Sequence, residues 1–245
     1  MRKITFLTLS CGILLAACTL PSPPAQQQQN ASSSSSSESA AFIELQGEEI
    51  GEGMPATEER TESGALAERF LATGILEVGN AHAPLTLLMI TEHHCSYCRQ
   101  FLFEIFPRLK TDFLDPGTLK LEIAMLPLQK YQKSTDASIG FICSAAQGKG
   151  LVMHDALFRN PNKSKEAILS YAVDLKLSTA LLDDCMKSAR TKMLLESQQI
   201  WAQSLGVEVV PTFFLNGEKF IGLPYYSDLK GRITEALKQQ KEQEE

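Results

Sequence analysis

The sequence has no excess of positive charge: 23 lysines and arginines stand against 29 aspartates and glutamates, a formal net charge of −6. Contacts to nucleic-acid phosphates need a basic surface, so this balance speaks against a nucleic-acid partner. The chain also lacks an apolar run of the about 20 residues that a membrane-spanning helix needs, since the run at residues 4–17 is shorter. No internal repeat is visible. What remains is an ordinary globular composition, with 44% hydrophobic residues and enough length for one domain with accessory segments.

The N-terminus has the features of an export signal. Arg2 and Lys3 precede the apolar run at residues 4–17, which predicts a secretory signal peptide over residues 1–17. The small residues before Cys18 resemble the lipobox of bacterial lipoproteins, whose cysteine is acylated after cleavage. The alternative is ordinary cleavage beside an incidental cysteine. The resemblance implies a lipid anchor at Cys18 in the bacterial cell envelope, facing the periplasm. A threonine after this cysteine favours the outer membrane over the inner one.

A low-complexity segment follows the signal. Within residues 18–62, residues 19–46 are rich in proline, glutamine and serine, with homopolymer tracts at residues 26–29 and 32–37, and the residues after them are acidic and contain glycine. Such a segment has too little apolar surface to form a core, so we predict a flexible linker that holds a folded domain away from the membrane. The folded domain is expected over residues 63–245, with a helical insert at about residues 130–205.

Strand and helix patterns alternate in the folded domain, which indicates the α/β class. Leu66, Phe70 and Leu71 predict a short amphipathic helix at its start. Strands are predicted at residues 75–78, 85–91, 119–126, 212–215 and 219–221. A helix kinked at Pro107 is predicted between the second and third strands, which implies that these two strands are parallel. An Asn-Gly pair between the last two strands predicts a hairpin turn, and a closing helix follows.

The motif Cys95-Ser96-Tyr97-Cys98 lies where an apolar strand gives way to an amphipathic helix. A cysteine at a helix N-terminus faces unpaired backbone N–H groups and the positive end of the helix dipole, and both favour the thiolate. Cys95 is therefore predicted to be a nucleophile. Cys98 follows one helical turn later, close enough to attack a mixed disulfide at Cys95 and release the partner molecule. The motif predicts a redox-active dithiol.

Other interpretations of this motif remain open. It could form a structural disulfide or half of a zinc site, although a zinc site normally needs a second ligand pair of similar spacing, and the chain has none. Imidazole together with thiolate also suits copper or zinc. The alternative is a non-catalytic metal-binding lipoprotein with the ligands His93, His94, Cys95 and Cys98. The two histidines could instead be partly exposed loop residues, or a protonated His94 could stabilise the Cys95 thiolate.

Residues 91–101, around the two cysteines, resemble the start of the active-site helix in DsbA-like thioredoxin-fold proteins. The resemblance covers about residues 72–240, including the helical insert and residues 209–217, which resemble the family's cis-proline segment. It implies a thioredoxin-like fold with a helical insert, and a thiol–disulfide oxidoreductase that exchanges disulfides with exported proteins. Dithiol oxidation is expected rather than reduction or isomerisation, with a redox partner that resets the active site. No soluble cofactor is implied.

The same resemblance implies a substrate-binding segment at Val210, Pro211 and Thr212. In the family, the peptide bond before this proline is cis and the proline faces the first cysteine of the motif. The resemblance therefore implies that Pro211 faces the Cys95 sulfur, while the Val210 backbone pairs with an extended substrate. The plainer interpretation is a proline that merely opens a strand.

Two further implications concern the dithiol itself. Glu92 matches a family position whose acidic side chain lies beneath the dithiol and can shuttle the proton of Cys98. Strand alternation places Glu92 on the buried face, and the alternative is an exposed glutamate at a strand end. Ser96 and Tyr97 stand where strongly oxidising members often have proline and histidine. Because Tyr97 lacks the ring N–H and the possible charge of a histidine, the thiolate is expected to be less stabilised and the disulfide less oxidising.

Cys143 and Cys185 each lie in an apolar helical stripe of the insert and are expected to face inward. In an oxidising compartment they are predicted to form a structural disulfide, as in some relatives with paired cysteines in the insert. The alternative is two unpaired thiols in the core. His154 is expected to be a residue of a helix or helix end rather than a ligand. A last functional alternative is a surface adhesin or scaffold that merely shares the fold.

Overall fold

The computed structural model describes residues 66–244, with side chains up to residue 243. The predicted signal peptide, the lipidation site at Cys18 and the whole predicted linker at residues 18–62 lie outside the described residues and stay predictions. Within residues 66–244, no helix is both long enough and apolar enough to cross a membrane.

A single mixed sheet forms the centre of the domain. Its six strands are β1 (Glu68–Phe70), β2 (Leu76–Gly79), β3 (Leu85–Thr91), β4 (Leu119–Met125), β5 (Thr212–Leu215) and β6 (Glu218–Ile221). They lie in the order β1-β2-β4-β3-β5-β6. β3 and β4 are parallel, as the strand–helix–strand pattern predicted, and all other neighbouring strands are antiparallel. The predicted α/β class is confirmed.

Helices cover the sheet and form the insert. The first helical segment consists of α1 (Ser96–Gln100), a π-helical turn (Phe101–Ile105), α2 (Phe106–Leu109) and a second π-helical turn (Lys110–Leu114). The insert contains α3 (Ser134–Ala145), α4 (Gly150–Arg159), α5 (Lys165–Asp174), α6 (Thr179–Lys187) and α7 (Ala189–Ser204). The closing helix is α8 (Tyr226–Glu244). Pro107 lies in the first turn of α2, directly after the first π-helical turn, so the regular α-helical hydrogen-bond pattern is interrupted next to the predicted kink.

The position of β3 in the sheet explains its sequence. This strand lies between β4 and β5, and every residue in it except Thr86 is buried. A strand covered on both faces reads as a continuous apolar run. Because β3 and β4 are parallel, their carboxyl ends lie at the same edge of the sheet, and the Cys95–Cys98 motif follows directly after β3.

The start of the domain differs from the prediction. Leu66, Phe70 and Leu71 predicted an amphipathic helix, but the chain here forms the edge strand β1, antiparallel to β2. The Arg69 side chain on β1 donates a hydrogen bond to the Glu77 carboxylate on β2 at 2.8 Å. The helix prediction was wrong because apolar spacing over a few residues carries no information about a strand partner further along the chain.

A disulfide joins two helices of the insert. Cys143 on α3 is bonded to Cys185 on α6, across a sequence separation of 42 residues. Most of α3 is buried, so this helix is the core element of the insert. The two cysteines that the sequence analysis paired are therefore the two that are bonded.

Candidate active site

The dithiol lies at the carboxyl edge of the parallel strands. β3 ends at Thr91, and after a short turn α1 begins with Cys95 as its N-cap residue. The Cys95 sulfur accepts a hydrogen bond from the Cys98 backbone N–H, with 3.1 Å between nitrogen and sulfur. The first N–H groups of a helix have no partner within the helix, and here a thiol sulfur accepts from one of them. Cys95 and Cys98 are free thiols in this structure.

The two thiols have opposite environments. A hydrogen bond from the Cys98 side chain, with further ones from the backbone N–H groups of Cys98 and Tyr97, lowers the pKa of Cys95 to about 7. Partial burial and the nearby Glu92 carboxylate act in the opposite direction, but the hydrogen bonds outweigh them. Cys98 is fully buried, and burial together with the adjacent Cys95 sulfur raises the pKa of its thiol. At neutral pH, Cys95 therefore supplies the thiolate and Cys98 keeps its proton.

This difference predicts selective alkylation. Iodoacetamide should modify Cys95 of the reduced protein and leave Cys98 intact, because the thiolate is the nucleophile. The rate should rise as the pH passes about 7, well below the ordinary thiol pKa of 9.0. The depressed pKa also stabilises the reduced fold at high pH, and this stabilisation is lost as the pH falls through about 7. Mass spectrometry of the alkylated peptides measures the profile. Equal modification of both cysteines would contradict the assignment.

The segment before β5 lies against the Cys95 sulfur. The peptide bond between Val210 and Pro211 is cis. The Cys95 thiol donates a hydrogen bond to the Val210 carbonyl oxygen, with 3.4 Å between sulfur and oxygen. β5 begins at Thr212, whose backbone pairs with β3, so the sheet register brings this segment next to the dithiol. The structure thus places Val210 of the predicted substrate-binding segment beside Cys95, and Pro211 and Thr212 follow it along the chain into β5.

An open groove of about 560 Å³ runs between this segment and the insert. Tyr97 on α1 is 60% exposed and Val209 is 49% exposed, and both line the groove. Exposed apolar side chains beside a reactive group offer a contact surface for a partner molecule. Cys95 and Val210 also line the groove, so a bound segment would pass both the thiol and the carbonyl group.

The carboxylate of Glu92 lies at the centre of a hydrogen-bond network. The side chain is 0% exposed. It accepts hydrogen bonds from the His94 backbone N–H at 2.7 Å and the Ser134 hydroxyl at 2.6 Å, and the His94 Nδ1 atom lies 2.6 Å away. The Ser134 hydroxyl in turn accepts from the Leu128 N–H at 2.9 Å. The His94 ring stacks on Tyr131. A buried carboxylate needs such partners, and the network holds His94 next to Glu92.

His93 has a different environment from His94. It is only 3% exposed, and its Nε2 atom lies 2.9 Å from Nδ1 of His154 on α4. Phe141 and Phe158 pack against its ring. Burial lowers the pKa of both histidines, that of His154 to about 3. The interpretation of His93 as a partly exposed loop residue is wrong, because the insert covers it. His154 lies within a helix, as predicted.

The geometry does not support the metal-binding alternative. That alternative needs His93, His94, Cys95 and Cys98 to converge, but His93 faces His154 and the hydrogen bonds of His94 go to a carboxylate. In the part of the chain that the structure describes, no group of three or more histidine, cysteine, aspartate or glutamate side chains could hold a metal ion.

Sequence reasoning missed three residues near the dithiol. Ser134 and Tyr131 contact Glu92 and His94 respectively, and Lys163 lines a hollow beside Cys95. Ser134 is separated from Glu92 by 42 residues, so no local spacing pointed to this contact. All three belong to the insert or to the segment that leads into it.

Comparisons with known proteins agree with this geometry. A family model described as thioredoxin matches residues 72–235. The probable disulfide bond formation protein D of Bacillus anthracis is 24% identical over 180 residues, which cover 70% of this chain and 82% of that protein. The crystal structure of oxidised BdbD from Bacillus subtilis has a TM-score of 0.62 at 19% identity, covering 71% of this chain and 98% of that one. The structure of alpha-DsbA1 from Wolbachia pipientis has a TM-score of 0.61 at 16% identity, covering 69% and 94%. At such identities the structural likeness establishes the fold, a thioredoxin fold with a helical insert.

Proposed function

The chain belongs to the thioredoxin family as a DsbA-like thiol–disulfide oxidoreductase, and we propose that it exchanges disulfides with exported proteins through Cys95 and Cys98. One observation carries this proposal. The Cys95 sulfur is partly exposed, has a lowered pKa and lies against the carbonyl of Val210, while Cys98 behind it is buried and protonated. A reactive thiol next to a resolving thiol is what disulfide exchange requires.

In the oxidising direction, a substrate thiolate attacks the Cys95 sulfur of the Cys95–Cys98 disulfide. Cys98 leaves and takes up a proton, and the substrate is joined to Cys95 in a mixed disulfide. A second substrate thiolate then attacks the substrate sulfur of this bond and releases the Cys95 thiolate. The substrate loses two electrons and the dithiol gains them. The hydrogen bond from the Cys98 backbone N–H stabilises the departing thiolate.

The pKa of Cys95 bears on the direction of exchange. A stabilised thiolate favours the reduced dithiol, and therefore makes the disulfide form an oxidant. The pKa of about 7 lies below that of a free thiol. It does not reach the value of about 3.5 that accompanies the strongly oxidising disulfide of DsbA. We propose a dithiol oxidase that is less oxidising than DsbA, which agrees with Tyr97 in place of a histidine.

A redox titration tests this proposal. The purified protein is equilibrated at graded ratios of reduced to oxidised glutathione, and its thiols are trapped and assigned by mass spectrometry. We expect a Cys95–Cys98 couple with a potential between the about −120 mV of DsbA and the about −270 mV of thioredoxin, with Cys143 still bonded to Cys185. A value at or below that of thioredoxin would make the protein a reductase. No Cys95–Cys98 couple at all would end the proposal.

Glu92 is proposed to move the proton of Cys98. Cys98 must lose its proton before it can release a substrate from a mixed disulfide, and burial opposes this loss. In a Glu92→Gln variant, release from the mixed disulfide should be at least about tenfold slower, because a positioned base typically contributes a hundredfold or more. The first attack by Cys95 should not slow. The Glu92 carboxylate raises the pKa of Cys95, so removing this carboxylate lowers that pKa and leaves more of Cys95 as thiolate. Rapid acid quench with a peptide disulfide separates the two steps.

The matched control is Glu122→Gln, which removes a half-buried carboxylate from the neighbouring strand β4. This variant should leave the release step unchanged. If Glu92→Gln and Glu122→Gln slowed the release step equally, Glu92 would act only through the stability of the domain, and the proposed proton transfer would be wrong.

The location of the protein follows as a further proposal from its N-terminal residues. The signal peptide at residues 1–17 would direct export, and after its cleavage the acylated Cys18 would anchor the domain to an envelope membrane, the outer one rather than the inner one. The linker would let the domain face the periplasm. Exported proteins with free thiols would then be the substrates. An oxidase must be reoxidised after each cycle, so a separate redox partner is part of this proposal.

A further inference from the structure

Two adjoining hollows lie on the insert side of Cys95, with volumes of about 430 and 310 Å³. Both are lined by His94, Tyr131 and Lys163, so they form one continuous surface, which we call the basic hollow. Its cationic residues are Arg99, Lys130, Lys133, Arg159 and Lys163. No aspartate or glutamate lines either part. This surface differs in sign from the chain as a whole, whose formal net charge is −6.

Three of the five cations have no carboxylate partner within residues 66–244. Arg159 binds Asp155 and Lys133 lies 3.5 Å from Asp136, so these two charges are largely balanced. Arg99, Lys130 and Lys163 form no ion pair in the same part of the chain. The hollow therefore keeps an excess of positive charge beside the reactive sulfur.

Lys163 is the unusual member of this group. It is only 5% exposed, and its ammonium donates one hydrogen bond, to the Asn160 carbonyl oxygen at 2.8 Å. An ammonium group has three hydrogens to donate, and a buried charge that forms no direct ion pair costs free energy. Burial lowers the pKa of Lys163, while the Glu92 carboxylate raises it. A bound carboxylate would supply both a counter-charge and a further acceptor.

From these observations we propose that the basic hollow binds acidic side chains next to the reacting cysteine of a substrate polypeptide. This inference rests on the function proposed above and defines its substrate class. Cys95 and His94 line both the hollow and the groove that follows Val209 and Val210, so the two surfaces meet at the reactive sulfur. An extended segment whose cysteine reacts at Cys95 therefore places its neighbouring residues in the hollow. Its negative charge also steers it to this surface of an otherwise acidic protein.

The test compares two dithiol peptides that differ only in the residues flanking one cysteine, which are glutamate in one and glutamine in the other. The rate at which the oxidised, purified protein oxidises each peptide is measured at low and high salt. We expect the glutamate peptide to react about threefold to tenfold faster at low salt, since exposed charge pairs contribute modestly and long-range attraction adds to the encounter rate. Most of this preference should disappear at about 1 M salt, where the Debye length is only about 3 Å.

Single variants locate the effect. Arg99→Gln and Lys130→Gln change exposed cations and should lower the ratio of the two rates towards one. Lys163→Met should lower this ratio as well. Because Lys163 is buried, its replacement can also disturb folding, so Arg99→Gln and Lys130→Gln decide the test. The control is Lys192→Gln, which removes one positive charge from an exposed position on α7 outside the hollow and should leave the ratio unchanged.

Each result has a defined meaning. Equal rates for the two peptides, or a ratio that survives Arg99→Gln and Lys130→Gln, would overturn the basic hollow as a recognition surface while the proposed function stands. Failure to oxidise either peptide would instead contradict the proposed function itself.

Discussion

A Cys98→Ser variant should lose at least about a hundredfold in turnover, a loss typical of removing a group that takes part in bond making, and should accumulate as a mixed disulfide with its substrate. The structure explains why this variant is informative. The hydrogen bond from the Cys98 side chain is the largest contribution to the lowered pKa of Cys95, and a serine hydroxyl can still donate one. Cys95 therefore stays a nucleophile, and only the resolving thiol is removed.

Incubation of the reduced Cys98→Ser variant with a disulfide-bonded peptide, followed by mass spectrometry without reductant, measures the adduct. Cys95→Ser is the matched control and should form none, because the remaining Cys98 is buried and protonated. An adduct at Cys98 in that control, or wild-type turnover by Cys98→Ser, would contradict the assignment of attacking and resolving thiols.

Loss of the insert disulfide should have the largest effect on stability. Replacing Cys143 and Cys185 together with alanine removes a cross-link that spans a separation of 42 residues. On the chain-entropy model, a loop of this size stabilises the fold by about 4 kcal/mol, and the free energy of unfolding should fall by about this amount. Denaturant unfolding of the oxidised wild type and the variant measures the difference.

The single variant Cys185→Ala provides the control, since it breaks the same bond and should cost nearly as much as the double variant. Disulfide exchange at Cys95 under mild conditions should persist in both variants, because the insert disulfide does not take part in the reaction. A loss below about 1 kcal/mol would mean that the helices α3 and α6 are held by packing rather than by the cross-link, and that the chain-entropy argument does not apply here.

Most elements next to the dithiol could be predicted from local patterns. The apolar run of β3, the helix that follows Cys95 and the Asn-Gly turn between β5 and β6 each depend on residues that are close in sequence. The position of Cys95 as an N-cap residue follows from the junction of a strand with a helix. Edge strand β1 was mistaken for a helix because the apolar spacing of so short a segment fits both structures, and its pairing with β2 decides between them.

The surroundings of the dithiol were harder to predict. Glu92 was expected to be buried, but its contact with Ser134 depends on how the insert packs on the sheet. The same packing covers His93 and places Lys163 beside the hollow, which no local pattern indicated. Burial of a polar residue depends on which distant segment covers it, so spacing along the chain does not reveal it.

The sequence by itself determined the reactive motif, the α/β class and, from β2 onward, the order of the strands and of the helices next to the dithiol, because hydrophobic periodicity and helix-capping chemistry act over a few neighbouring residues. The sequence also indicated Cys95 as the more acidic thiol, but only the tertiary structure decided how deeply Cys98 is buried, where the Val210 carbonyl lies, and which charges surround Cys95. These properties depend on electrostatic interactions and burial, and those are set by segments that folding brings together from distant parts of the chain.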